Sequence, residues 1–216
     1  MIKSNKVLHI RLLHIRLLQF IAAALTTLLL SGCSEPKLEP IKYGGTILAF
    51  GDSLTFGVGT AQTHSYPAVL AELSGLNVIN AGISGETTES GLKRLPLELD
   101  RTAPDLIILI EGGNDILQNK SEFSIKSNLR KMIELAQSRD IPVVLIGVPQ
   151  KRLFSDSAPL FQELAEDYQL VFDGTLIGSL LRSPSSKSDH VHFNTEGYRK
   201  MAESIYELLS DNGALL

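Results

Sequence analysis

Five short runs of isoleucine, valine and leucine recur between residues 46 and 173, separated by longer stretches of helical periodicity. They are TILAFG (46–51), LNVIN (76–80), DLIILIE (105–111), PVVLIG (142–147) and QLVFD (169–173), with little polar alternation. A strand with one wet face alternates, whereas a near-continuous apolar run suits a strand covered on both faces of a parallel sheet. Between the runs, SEFSIKSNLRKMIELAQSR sets Ile125, Leu129, Met132, Ile133 and Ala136 on one helical stripe. The final segment does the same with Tyr198, Met201, Ala202, Ile205 and Leu209, behind Asn194 or Thr195 as N-cap. Repeated strand–helix alternation predicts one α/β domain, a three-layer αβα sandwich around a mostly parallel sheet. Ligands of such sheets sit at the carboxyl ends of the strands.

Four polar, glycine-rich stretches fall at that edge: GDSLTFG after the first run, NAGISGET after the second, EGGNDI after the third, and SDHVHFN ahead of the last helix. Taken singly, each is ordinary turn chemistry. Ser53 follows a strand and precedes a helical segment, a place where serine more often caps a helix than attacks a substrate. A serine nucleophile needs a base, because its hydroxyl is hardly ionised at neutral pH. Beyond residue 32 the histidines are His64, in the loop AQTHSYP, and His190 and His192 in the final loop. The final loop is therefore the expected source of a base. Gly85 and Asn114 offer N–H groups from two further loops, each with a plain turn role as the alternative.

The stretches AFGDSLTFGVG, NAGISGETTESGL, EGGNDIL and DHVHFNTEGY resemble, in order, the four sequence blocks of the SGNH (GDSL) hydrolases. The similarity runs over nearly all of residues 46 to 210, nearest to the bacterial thioesterase I, arylesterase and lysophospholipase branch. It implies a flavodoxin-like five-stranded sheet and a serine esterase. Ser53 would be the nucleophile, with Asp189 and His192 completing the catalytic set. The N–H groups of Ser53 and Gly85 and the Asn114 amide would form the oxyanion hole. No metal or organic cofactor is implied. His190 is expected at a variable rim position, because neighbours in a loop point apart while residues three apart across a turn can face each other. GDSLT is not the Gly-x-Ser-x-Gly elbow of the α/β-hydrolases. A metal site is disfavoured, since the His-x-His pair and one carboxylate have no further ligand cluster elsewhere in the mature chain.

Lys3, Lys6, Arg11 and Arg16 precede the uncharged stretch LLQFIAAALTTLLL, and the first acidic residue is Glu35. A basic region followed by an apolar run too short to span a bilayer is an export signal. LLSGCSEP then resembles the lipobox of bacterial lipoproteins, which makes residues 1–32 a signal peptide and Cys33, the lone cysteine, the lipidated first residue. Two or more acyl chains suffice for stable anchoring, at about 0.8 kcal/mol per buried methylene. Residues 33–45, with two prolines and two glycines, read as a lipidated tether to a domain over 46–216. Ser34, in place of aspartate, points by the same resemblance to the periplasmic face of the outer membrane. Loss of residues 1–32 leaves 16 basic against 24 acidic groups, a formal −8, with no basic cluster for nucleic acid.

The expected protein is a monomeric, lipid-anchored envelope esterase acting on small aryl or short-acyl esters, lysolipids or thioesters. The alternatives are an acetyl esterase of envelope carbohydrate, or a non-catalytic envelope-binding lipoprotein.

Overall fold

The structure, a computed structural model, describes residues 38–151 and 156–215. The signal peptide and Cys33 lie outside the described residues. Five strands form one parallel sheet in the order β2-β1-β3-β4-β5: β1 Thr46–Gly51, β2 Asn77–Gly82, β3 Leu106–Ile110, β4 Val143–Ile146 and β5 Val171–Asp173. The helices are α1 Ser53–Phe56, α2 Tyr66–Ser74, α3 Thr88–Thr102, α4 Gly113–Leu117, α5 Glu122–Gln137, α6 Pro159–Tyr168, α7 Leu176–Arg182 and α8 Thr195–Asp211. On one side α2 packs on α8 and α8 on α7; on the other α3 packs on α5 and α5 on α6. This is the three-layer αβα arrangement expected from the alternation, with the flavodoxin-like five-stranded sheet that the family resemblance implies.

The apolar runs explain the layers. Ile47 to Phe50 on β1, Leu106 to Ile110 on β3 and Val143 to Ile146 on β4 are buried. A fully buried Leu, Ile or Phe contributes roughly 1.5–3 kcal/mol, so these central strands bind both helical layers. β2 departs from the expectation of two covered faces: Val78 and Ile79 are only half-buried, because β2 is an edge strand. β5 begins later than the apolar run, since Gln169 adopts a left-handed conformation (φ +52°) as the C-cap of α6. The α5 and α8 stripes are buried as predicted, and Asn194 is the α8 cap, accepting from the Gly197 N–H at 3.0 Å.

The expected tether is partly domain. The Leu38 N–H donates to the Asn212 carbonyl (2.8 Å), the Ile41 N–H donates to the Ala214 carbonyl (2.9 Å), and Ile41 is buried. α8 starts beside the final loop and is 17 residues long, so at about 1.5 Å per residue its far end lies some ~25 Å from that loop. The two ends of the described domain, Leu38–Ile41 and Asn212–Ala214, therefore meet at the amino edge of the sheet, away from the loops at the carboxyl edge.

Candidate active site

β1 lies between β2 and β3, where successive connections leave for opposite faces, and a crevice opens at the carboxyl end of such a switch point. Ser53 stands there as the first residue of α1. The capping role open to Ser53 is taken by Asp52, whose Oδ1 accepts from the Leu54 N–H at 3.0 Å. Its hydroxyl is thereby left for other partners. β2 presses directly on α1: a Cβ on Gly82 would lie 2.1 Å from the Phe56 nitrogen. Only glycine permits that approach.

The final loop is folded by Asp189. Its Oδ1 accepts from the N–H groups of Val191 and His192, both at 2.8 Å, a side-chain-closed turn of the Asx type. That turn brings Oδ2 to 2.8 Å from His192 Nδ1. His192 Nε2 is 3.0 Å from Ser53 Oγ. With Nδ1 facing a carboxylate, the ring carries its proton there, and Nε2 is left to accept from the serine. Desolvation acts to raise the Asp189 carboxyl pKa, but donation from Val191 and from the ring and N–H of His192 outweighs it and holds the group at about 2. The loop is pinned behind these residues. Phe193 is buried edge-on against Tyr198 at 5.5 Å, and the Tyr198 hydroxyl donates to the Val58 carbonyl at 2.8 Å.

Asn114 joins three loops. Its Nδ2 donates to the Glu86 carbonyl at 2.8 Å and to Asp52 Oδ2 at 3.3 Å. Gly85, one residue before Glu86, sits at φ +81° in a turn closed by the Glu86 N–H on the Ile83 carbonyl, with open space where a Cβ would stand. Gly85 is exposed on the β2 side of Ser53. From Ser53 a cleft of about 530 Å³ runs the other way, with Leu54, Ile116, Leu117, Val148, Ile177 and Leu181 as apolar walls. His190 lines this cleft and is exposed, whereas His64 lies exposed in the turn Gln62–His64, outside the cleft.

Below these groups is a set of buried carboxyls that the sequence did not announce. Asp52, Glu86, Glu111 and Asp115 are all buried. Burial pushes the Asp52 carboxyl up to about 6, against the Leu54 N–H and the charge of His192, with the charges of Glu86 and Asp115 adding to the rise. Burial, then the charges of Asp52 and Glu86 and a side-chain hydrogen bond with Glu86, push Glu111 well above the usual carboxylate range, against donation from the Gly112 N–H. Asp115 accepts from the N–H (2.8 Å) and hydroxyl (2.9 Å) of Thr88. Arg94 supplies the countercharge: its Nε donates to Glu86 at 3.0 Å, its Nη2 donates to the Ala81 carbonyl at 2.9 Å, and its guanidinium lies 4.1 Å over the Phe50 ring. The one visible signal was position: Asp52 and Glu111 each follow the last residue of a buried strand. Among the described residues, no group of three or more His, Cys, Asp and Glu is arranged to hold a metal ion.

Residues 49–200 match the model of the GDSL-like lipase/acylhydrolase family. The chain belongs to this family. It is thus a hydrolase of the esterase and acylhydrolase type. An arylesterase of Vibrio mimicus is 33% identical over 174 residues, covering 76% of this chain and 87% of that one. The solved structure of AlinE4, an SGNH-hydrolase family esterase, is 31% identical, with a TM-score of 0.62 over 79% of this chain and 97% of AlinE4. The psychrotrophic esterase EstA from Pseudoalteromonas shares the fold at 22% identity, with a TM-score of 0.70 over 77% and 97% of the two chains.

Proposed function

We propose that the chain is a serine esterase in which Ser53, His192 and Asp189 hydrolyse carboxylic esters through an acyl-enzyme. The observation that carries this reading is the continuous relay from Ser53 Oγ to His192 Nε2 (3.0 Å) and from His192 Nδ1 to Asp189 Oδ2 (2.8 Å). In the first step Ser53 Oγ bonds to the ester carbonyl carbon while His192 takes the hydroxyl proton. Asp189 steadies the imidazolium through Nδ1. The carbonyl oxygen becomes an oxyanion, met by the N–H groups of Ser53 and Gly85 and by the Asn114 amide. Collapse breaks the bond to the leaving alcohol or thiol, which receives the proton from His192. Water, deprotonated by the same imidazole, then releases the acid and restores the serine.

The apolar walls of the cleft suit an acyl or aryl group, which favours aryl and short-acyl esters, lysolipids and thioesters over acetylated sugars. The similar Vibrio mimicus protein is an arylesterase, which agrees with that class. The chemistry assigned to these residues needs no cofactor. Lipid on Cys33 holding the enzyme in the cell envelope, as a monomer, is part of the same proposal; the resemblance of LLSGCSEP to a lipobox supports the anchor. The test is turnover of p-nitrophenyl acetate and butyrate by wild type and Ser53→Ala. The wild type should turn over both while the variant is inert; equal rates would refute the assignment.

A further inference from the structure

Asp52 takes no part in the relay, yet it lies buried beneath it with its two oxygens engaged in different tasks. Oδ1 caps α1 through Leu54, and Oδ2 receives Asn114 Nδ2 at 3.3 Å. The same Nδ2 donates to the Glu86 carbonyl at 2.8 Å. An amide nitrogen carries two hydrogens in a fixed plane, so two acceptors define its rotation. The space on this side is full: a Cβ on Gly113 would stand 3.0 Å from Asp52 Oδ2. The longer of the two contacts is the one a substrate oxygen can share.

We propose that Asp52 is a positioning residue for the reaction: its ionised carboxylate holds the Asn114 amide in the setting from which it meets the developing oxyanion. This rests on the reading of Asn114 as an oxyanion donor. Protonation replaces an anionic acceptor by a weaker one and releases the second tie on Asn114. The groups facing Asp52 are Glu86 with its partner Arg94, Glu111, Asp115, His192 and the phenols of Tyr66 and Tyr198. Burial first, then the charges of Glu86 and Asp115, raise the Asp52 carboxyl to about 6, against the Leu54 N–H and the charge of His192. Asp189, held at about 2, stays ionised through that range. Acidification through that range removes the Asp52 charge, and with it the second tie on Asn114.

The experiment is the pH profile of kcat/KM for p-nitrophenyl butyrate, with wild type, Asp52→Asn and Ser53→Ala in parallel. Asparagine keeps an oxygen for the Leu54 N–H but turns an NH₂ toward Asn114. Deleting one oxyanion donor outright costs about 10²–10³-fold, so a donor misaimed by Asp52→Asn should lower kcat by roughly 10- to 100-fold with little change in KM. As Asp52 protonates, wild type should lose the same factor of roughly 10- to 100-fold, so the logarithmic profiles of wild type and Asp52→Asn should converge on the acid side. A variant rate within about twofold of wild type at pH 8, or profiles that stay parallel down the acid side, would overturn the proposal. Where Asp52→Asn fails to fold, Asn114→Ala is read in its place: its profile should lack the Asp52-linked loss, and an acid limb identical to that of wild type would overturn the proposal. Should Ser53→Ala be inert while Asp52→Asn is unimpaired, only this inference falls. An active Ser53→Ala removes the serine reading beneath it.

Discussion

Replacing Arg94 by methionine tests the buried charge system most directly. Arg94 is 17% exposed and Glu86 only 4% by side chain, so the pair is held away from water. Methionine keeps most of the aliphatic stem, so packing along α3 changes little. What disappears is the only cation bonded to Glu86 among the described hydrogen bonds, together with a donor to the Ala81 carbonyl and the charge over Phe50. Breaking a buried ion pair from one side costs about 3–5 kcal/mol, because the remaining charge keeps its desolvation penalty without compensation. Here that charge also faces Asp52 and Glu111, which places the loss toward the upper end. For a domain of this size each kcal/mol is worth roughly 2–4 °C, so the melting temperature should fall by about 10 °C or more. Adding Glu86→Gln should restore most of it, since neutralising both partners removes the orphaned charge. Thermal and urea unfolding at pH 8 would measure both variants. Glu89→Gln is a control: it breaks the exposed Lys93–Glu89 pair, 72% and 63% exposed, and should leave the melt unchanged. A loss below about 1 kcal/mol for Arg94→Met, or a double variant no more stable than the single, would refute the reasoning.

The two histidines of the final loop should separate cleanly: His192→Ala removes nearly all turnover of p-nitrophenyl butyrate, and His190→Ala leaves most of it. The reverse pattern would mean that the wrong ring is the base. Tyr198→Phe deletes the donor to the Val58 carbonyl and should destabilise the fold by about 1 kcal/mol in urea titration. For Cys33→Ala the expected result is release of the protein from the membrane fraction into the soluble one; unchanged sedimentation with membranes would count against lipidation.

Much of this molecule can be read locally. The strands around Ile47, Ile108 and Val144 were legible because both of their faces are covered, so burial shows in the residues themselves. The pairing of Asp189 with His192 was legible because a three-residue turn is a local event. β2 carries on to Gly82, past its apolar run, because Ala81 and Gly82 pair with Phe50 and Gly51, and a partner strand is invisible in a local pattern. Arg94 is harder still. It lies on a helix of mixed polarity, and its role depends on Glu86, Ala81 and Phe50 converging from other elements. Residues 38–41 resemble a linker in composition, with Glu39 and Pro40 among them. Their order comes from the carbonyls of Asn212 and Ala214 at the far end of the chain.

That closure of the two ends has a practical side. A handle fused ahead of Leu38 or behind Leu215 emerges from the rear of the sheet, opposite the cleft beside Ser53. Enzyme coupled to a resin through either such handle should present its mouth to the flowing solution and keep its rate on small esters. The adjacency of the ends also permits a circular permutant, with a short bridge joining them and new termini opened in an exposed connection away from the cleft.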